Sequence, residues 1–345
     1  MRSFPKILKE IALALRGKPD LRDLYAATRD IGILRLNAKH YGYYLARQLE
    51  GVLKGVDYSL EPRKHHLVSK ATTQEDMESP WFAYWCKELK IAPIYHRKIW
   101  EYAFVLQCLH DHDLLCEGVS AMGFGCGEEP MASYFATLGL DTLVTDLDPV
   151  RVAGKGWAET HQHARTRETA FRPDLVSREI FDARVRHQFV DMNAIPQVPQ
   201  PFDFCWSICA MEHLGNIEAG LSFVENSLQV LKPGGLAIHT TEYNYLSENE
   251  TRESGEVVLF LRRHFEALAQ RLRASGHELL GPDFSAGKGV LDDFIDVPPY
   301  GDEAEGWLKN KYTPHVKSDF PAHLKLSISG FAATCFGLVV RKSNR

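Results

Sequence analysis

The most constraining feature of this chain is a glycine-rich segment at residues 118–130, GVSAMGFGCGEEP. Its glycines alternate with other residues, at Gly123, Gly125 and Gly127. An apolar run before them, Leu114–Met122, predicts a buried strand, and a short helix is expected from Ala132. A second apolar strand is expected at Thr142–Thr145. The order strand, glycine turn, helix, strand is typical of nucleotide-binding α/β proteins.

The second strand is followed by an acid, Asp146, nineteen residues beyond Gly127. Glycines in the turn let the backbone approach an adenosine-bearing ligand. A carboxylate at the end of the next strand can accept hydrogen bonds from both ribose hydroxyls. The sequence therefore predicts an adenosine site formed by the glycine turn and Asp146.

Further apolar segments continue the pattern, and each ends in polar residues. A third strand, His187–Val190, precedes Asp191-Met192, and residues 201–214 supply a fourth strand and the turn Glu212-His213. A helix is expected at Ile217–Val230, before the sequence LKPGG. A fifth strand follows at residues 236–241.

This succession resembles the class I S-adenosylmethionine-dependent methyltransferases. The matching motifs are the glycine loop, the acid after strand two, Asp-Met after strand three, FDxxxS…EHL and LKPGG. The resemblance covers residues 114–245 closely, and residues 323–328 and 333–341 look like the closing antiparallel hairpin. It implies an α/β fold: a Rossmann-like, doubly wound, seven-stranded sheet with an antiparallel last strand, in a domain at 114–345.

The resemblance also implies S-adenosyl-L-methionine as the cofactor. Asp146 would bind the ribose, Asp191 the adenine amino group, and Met192 would pack on the adenine ring. The full implied set is Gly123, Phe124, Gly125, Gly127, Glu128, Asp146, Leu147, Asp191, Met192 and Ser207. The chain departs from the family at Ala121, where an acid that helps to hold the methionine amino group is usual. Glu128 or Glu129 could take that role.

Candidate reacting groups follow the fourth and fifth strands. His213 has an ordinary pKa near roughly 6.5 and can act as a base at neutral pH, with Glu212 beside it. Alternatively, His213 only orders its loop. His239 and Glu242 lie in HTTEYN at the end of strand five, where several hydrogen-bonding side chains suit a polyhydroxylated acceptor. Alternatively, Glu242 is a surface acid.

No metal site is expected. The close pairs at 161/163 (His) and 292/293 (Asp) do not fall at predicted strand ends, and spacing fixes no further ligand near them.

Residues 1–113 are expected to be a mostly helical extension, with helices at Phe4–Leu15, Ile33–Lys54 and about Tyr95–His110. The aromatic group at residues 81–85 either packs the extension on the sheet or walls a substrate pocket. Residues 285–322 are expected to be an insertion that covers the substrate. The basic group at residues 96–98 is expected to be a solvated helix face.

Composition narrows the class of protein. In 345 residues, 45% hydrophobic and 25% charged content is ordinary for a globular protein, and no apolar run approaches the roughly 20 residues that span a bilayer. Seven scattered cysteines without a CxxC pair, and a start without a leader-like apolar region, favour a cytoplasmic protein. A net charge of −5 with dispersed basic residues argues against a nucleic-acid partner.

The leading hypothesis is a cytoplasmic methyltransferase acting at oxygen on a small or sugar-like acceptor, such as a glycan or nucleotide sugar. HTTEYN, DVPPY and HLKL look like segments of bacterial methyltransferases of surface polysaccharide assembly. One alternative is a catalytically silent scaffold of the same fold, and another is methylation of RNA or protein. A nicotinamide dehydrogenase is disfavoured, because LKPGG and the Glu-His turn have no role in hydride transfer.

Overall fold

The computed structural model describes residues 21–57, 62–148, 167–300 and 321–344. The predicted helix at Phe4–Leu15 and most of the insertion at 285–322 lie outside these ranges. None of the described helices is both long enough and apolar enough to cross a membrane.

The described residues contain nine α-helices and ten strands. The helices are α1 Leu21–Gln48, α2 Glu50–Gly55, α3 Gln74–Met77, α4 Pro80–Glu88, α5 Arg97–Asp111, α6 Met131–Thr137, α7 Arg178–Arg184, α8 Ile217–Ser227 and α9 Arg262–Ala274. The strands are β1 Lys70–Ala71, β2 Ser120–Phe124, β3 Asp141–Asp146, β4 Val185–Phe189, β5 Phe202–Ile208, β6 Leu231–Asn244, β7 Glu278–Leu279, β8 Ile295–Asp296, β9 Lys325–Ile328 and β10 Phe331–Arg341.

These strands form one mixed sheet with the order β4-β3-β2-β5-β6-β10-β9-β8. Strands β2 to β6 are parallel, and β10 is antiparallel to β6. The chain builds outward from β2 to β4 and then crosses back to β5, so the strand order reverses between β2 and β5. Ligands of open α/β sheets bind at such a point, outside the carboxyl ends of the strands. The predicted fold class is confirmed.

The sheet has ten strands among the described residues, more than the seven expected. The additional strands arise because β10 is eleven residues long and its outer edge is shared. Strands β7, β1 and β9 pair with successive parts of that edge, and β8 pairs with β9. Segments from the N-terminal extension and from the insertion thus become part of the sheet.

Several predicted boundaries moved. The first strand begins at Ser120 rather than Leu114, because the chain turns at Asp113 (φ 58°) and Gly118 (φ 85°). Strand β6 extends three residues past the predicted end. The predicted helix at 33–54 is divided between α1 and α2.

The aromatic group of α4 packs inside the protein. Trp81, Phe82 and Trp85 are buried in the same hydrophobic cluster as Phe204 and Trp206 of β5. The indole nitrogen of Trp85 donates to Gln107 of α5 at 2.9 Å. The expectation that these aromatics pack the extension on the sheet is confirmed, and the extension shares its core with the sheet.

Candidate functional site

The glycine loop lies at the carboxyl end of β2, and its glycines serve different purposes. Gly125 (φ 60°) and Gly127 (φ 51°) have left-handed backbones that favour glycine. A methyl group at Gly125 would also lie 2.9 Å from Cβ of Ala210 and 3.4 Å from Sδ of Met192. Gly123 is the last but one residue of β2, and a methyl group there would meet Trp206. The turn is therefore closely packed against the segments that follow β4 and β5.

Asp146 joins this loop to the end of β3. Its side chain is buried, and Oδ2 accepts a 3.2 Å hydrogen bond from the backbone N–H of Gly127. Oδ1 accepts from the N–H of Leu147 at 2.8 Å. These bonds fix the orientation of the carboxylate between the glycine turn and the end of β3.

The other residues expected to bind the cofactor differ in how deeply their side chains are buried. Met192 is buried beside Gly125, and Asp191 is half-buried and accepts from the N–H of Asn193 at 2.9 Å. Glu128 is exposed, whereas Glu129 is buried and accepts from Nε1 of Trp206 at 3.0 Å. Burial raises the pKa of Glu129 to about 8. Between these two acids, Glu129 is the one that lies inside the protein.

Two side chains of the implied cofactor set point into the core. The ring of Phe124 packs edge-on against Phe223 of α8, with centroids 5.3 Å apart. Ser207 is buried, and its hydroxyl lies 2.8 Å from Nδ1 of His239. These side chains support the sheet, so only their backbone groups could take part in the expected cofactor contacts.

His239 also lies in the core. The residue is fully buried, and its Nε2 lies 3.0 Å from the hydroxyl of Ser227 in α8. Burial lowers its pKa to about 3. The ring therefore stays neutral and bonded to two hydroxyls, and we do not retain His239 among the proposed reacting groups.

Glu212 and His213 form a single turn after β5. Oε2 of Glu212 accepts from the hydroxyl of Thr241 at 3.0 Å, inside the protein. His213 is half-buried, and its Nδ1 lies 2.8 Å from the carbonyl oxygen of Glu256. Because a carbonyl only accepts, Nδ1 carries the proton and Nε2 is the basic nitrogen. Burial lowers the pKa of His213, which keeps the ring neutral near pH 7.

Charged side chains from α5, the glycine loop and the ends of β5 and β6 converge beside this turn. We call Arg97, Lys98, Glu101, Glu129, Glu212 and Glu242 the acidic–basic cluster. Arg97 is ion-paired with Glu242 at 2.5 Å, and Glu101 lies 4.0 Å from the same guanidinium nitrogen. The hydroxyl of Thr240 donates to Glu101. Glu242 is therefore buried, not the surface acid of the alternative interpretation.

The acidic–basic cluster is incompletely satisfied. Burial raises the pKa of both Glu212 and Glu242. Three buried atoms of this cluster have no hydrogen-bond partner among the described residues: Nε of Arg97, Oε1 of Glu101 and Oε2 of Glu242. A buried polar atom without a partner costs roughly 1–3 kcal/mol. These atoms lie near the carboxyl ends of the parallel strands, where ligands of such sheets bind. They are therefore suited to bind the polar groups of a substrate.

Part of the same cluster has the spacing of a metal site. Sγ of Cys209 and carboxylate oxygens of Glu212 and Glu242 lie within 4.8 Å of one another, and Glu101, Cys209 and Cys335 form a second such group. The Arg97 guanidinium already supplies a cation there, 3.0 Å from Sγ of Cys335. We therefore keep metal-independent chemistry as a proposal.

Sequence analysis missed Arg97 and Lys98, because it assigned them to a solvated helix face. The Arg97 side chain is only 17% exposed, and Nζ of Lys98 lies 3.4 Å from the carbonyl oxygen of Ile208. One signal was available. Cations in the first turn of a helix oppose the helix dipole, so two of them there suggest anionic neighbours.

Comparisons with known proteins give similar structures but no family. No family model matches the sequence, and no curated protein matches it. A candidate sarcosine dimethylglycine methyltransferase from Galdieria sulphuraria is 14% identical, with a TM-score of 0.43 over 87% of this chain and 98% of that one.

Two further structures are similar. Magnesium protoporphyrin IX methyltransferase from Synechocystis, crystallised with S-adenosylhomocysteine, is 9% identical, with a TM-score of 0.40 over 71% of this chain and 83% of that one. The cyclase SpnF is 19% identical, with a TM-score of 0.42 over 80% and 99%. At these scores the similarity does not define an activity for this chain.

Proposed function

We propose that this chain is an S-adenosyl-L-methionine-dependent methyltransferase. The observation that carries the proposal is the bond between Asp146 at the end of β3 and the Gly127 N–H in the turn after β2. It brings a buried carboxylate, a left-handed glycine turn and Met192 together at the reversal of strand order. Asp146 would hold the ribose, with Asp191 and Met192 at the adenine. The cofactor supplies a methyl group activated by its sulfonium.

We further propose a hydroxyl of a small or sugar-like molecule as the acceptor. The acidic–basic cluster lies at the carboxyl ends of β5 and β6, next to the glycine loop. Its unpartnered atoms on Arg97, Glu101 and Glu242 offer both donors and acceptors, as a polyhydroxylated ligand requires. His213 and Glu212 remain candidates for contact with the acceptor.

The cofactor assignment is tested by Asp146→Ala. Hydrogen bonds to a charged group are worth about 1.5–3 kcal/mol, so affinity for S-adenosylhomocysteine should fall about 10- to 150-fold in calorimetric titration. The matched control is Asp141→Ala at the opposite end of β3, where the carboxylate pairs with Arg184 at 3.2 Å. That variant should bind as the wild type does. Equal affinity of both variants would remove Asp146 from the ribose site.

A second candidate function is a scaffold of the same fold that does not bind the cofactor. It is favoured by Ala121, which is fully buried in β2. The methyltransferase family that the sequence resembles usually has an acid at this position. The same titration separates the two candidates. Wild-type protein that fails to bind S-adenosylhomocysteine at millimolar concentration would support the scaffold.

A further inference from the structure

A second polar group borders the acidic–basic cluster, and its centre is the carboxylate of Asp296 in β8. Oδ1 pairs with Nζ of Lys39 from α1 at 2.6 Å, and both side chains are fully buried. Oδ1 also accepts from the N–H of Val297 at 2.9 Å. Oδ2 lies 2.8 Å from Nδ1 of His323 and accepts from the hydroxyl of Tyr43 at 3.3 Å. The Lys39–Asp296 ion pair therefore places an ammonium group in direct contact with this carboxylate.

This arrangement determines which nitrogen of His323 is basic. An ionised carboxylate only accepts, so Nδ1 of His323 must carry the proton that lies between them. Nε2 is then the basic nitrogen of the neutral ring, and within the described residues it makes no hydrogen bond. Burial lowers the pKa of His323, which keeps the ring neutral near pH 7.

His96, in contact with His323, has the opposite tautomer. It is the residue before α5, and its Nδ1 accepts the backbone N–H of Lys98 at 3.1 Å. Nε2 of a neutral His96 therefore carries the proton and is a donor. The rings of His96 and His323 lie 4.8 Å apart at 30°, with Tyr300 5.1 Å from His323 on another side. The two rings are thus in contact, and one carries a donor nitrogen while the other carries a basic nitrogen.

The pair adjoins the proposed acceptor site. His96 directly precedes Arg97, whose backbone N–H donates to the carbonyl oxygen of His323 at 3.1 Å. The Arg97 side chain continues to Glu242 and to Cys335 of β10. Among the described residues, the charged and titratable groups facing His323 are Asp296, Lys39, His96, Arg97 and Tyr300.

We propose that His323 takes the proton from the acceptor hydroxyl, and that His96 donates a hydrogen bond to a neighbouring oxygen of the same acceptor. The inference rests on the proposed function. As the oxygen forms its bond to the methyl carbon, the carbon–sulfur bond breaks with its electron pair left on sulfur. The hydroxyl proton goes to Nε2 of His323 and then to solvent. Asp296 is a positioning residue that stabilises the imidazolium.

His213 is less suited to this task. Its Nδ1 is held by the neutral carbonyl of Glu256, which offers no negative charge to an imidazolium. His323 has a carboxylate in the corresponding position. The acceptor that fits a donor and a basic nitrogen side by side is one with two adjacent oxygens, such as the vicinal hydroxyls of a sugar ring.

The first test needs neither cofactor nor acceptor. Long-range proton–nitrogen NMR of the full chain reports the tautomer of each histidine, with signals assigned by their loss in His323→Gln and His96→Gln. At about pH 7.5 we expect His323 protonated on Nδ1 and His96 protonated on Nε2. The same tautomer in both rings, or a charged His323, would overturn the inference.

The role of the Asp296 carboxylate is tested with two substitutions, because Asp296→Asn alone leaves Lys39 buried without its partner. The double variant Lys39→Met with Asp296→Asn removes both charges. In that variant the pKa of His323 should fall. An unchanged pKa in a folded double variant would contradict the role given to Asp296.

The catalytic test uses S-adenosyl-L-methionine with free hexoses, 6-deoxyhexoses and their nucleoside-diphosphate forms, followed by S-adenosylhomocysteine release. General-base catalysis contributes about 10²–10⁴-fold, so His323→Gln should lower kcat by at least about 10²-fold. Its affinity for S-adenosylhomocysteine should not change. Added imidazole should partly restore the methyltransferase activity of His323→Gly. If the role of His323 were purely structural, imidazole would not restore activity. His277→Gln, near the other end of the sheet, is the control and should keep wild-type kcat.

The two proposals fail differently. Wild-type protein that does not bind S-adenosylhomocysteine would overturn the proposed function. Intact binding with wild-type kcat in His323→Gln, or with no methylated member of the panel, would overturn the inference alone.

Discussion

At the scale of single residues, histidine shows how far environment decides chemistry. His213 follows β5 and His239 lies in the neighbouring strand β6, and sequence analysis treated both as candidate reacting groups. His239 is enclosed between Ser207 and Ser227, whereas His213 is half-buried. His323, which sequence analysis placed only in a hairpin, has a carboxylate behind its ring. The difference lies in which face of a strand or turn the side chain occupies and what covers that face.

The burial of His239 predicts a pH dependence of stability. Its folded pKa of about 3 is below the ordinary value of 6.5, so between these values the unfolded chain binds the extra proton. The stabilisation is fully present above pH 6.5 and is lost as pH falls towards 3. In urea unfolding between about pH 4 and 6, wild type should lose up to about 1.4 kcal/mol per pH unit more than His239→Gln. Parallel slopes would contradict this.

At the scale of elements, helix α1 is attached by a small part of its length. Residues 25–35 are largely exposed, whereas Leu36, Tyr43 and Ala46 are buried. Lys39 forms the buried ion pair with Asp296. Lys39 contacts Asp296, and Asp296 contacts His323. The packing of this face of α1 therefore helps to position the proposed base.

Two glycines of α1 test this docking. A methyl group at Gly42 would lie 2.1 Å from the ring of Phe294, whereas one at Gly32 meets nothing within 4 Å. Overpacking costs about 1–3 kcal/mol, and alanine gains up to about 1 kcal/mol over glycine inside a helix. Gly42→Ala should therefore lower the free energy of unfolding, and Gly32→Ala should raise it. Equal changes in urea titrations would mean that α1 is not docked on Phe294.

At the scale of the whole molecule, the N-terminal extension and the sheet share one core. Phe104 of α5 lies against Gly337 in the middle of β10, where a methyl group would be 2.2 Å from the ring. Strand β1 pairs with the same part of β10. We therefore propose that the division expected at residue 113 marks a change in secondary structure and not in folding unit.

Calorimetry can test this shared core. The protein should unfold in a single transition whose van't Hoff and calorimetric enthalpies agree. Phe104→Ala should lower stability by about 3–5 kcal/mol and move the whole transition without splitting it. Tyr25→Ala, at a side chain that is 66% exposed, should leave it in place. A separate early transition in Phe104→Ala would show an independent N-terminal unit.

The sequence alone determined the alternation of strands and helices, the parallel sheet and the glycine turn with Asp146. Each of these follows from short-range periodicity or from residues at the end of a single strand. The carboxyl ends of neighbouring parallel strands lie at the same edge of the sheet, so such residues come close together. It also placed Glu212, His213 and Glu242 near one edge of the sheet.

Only the tertiary structure decided which side chains line that edge. Lys39 and Asp296 are 257 residues apart, and no local pattern relates them to each other or to His323. The arrangement depends on how α1, α5 and the strands on the outer edge of β10 pack together. Long-range packing decides which polar groups are buried side by side, and burial then sets their protonation.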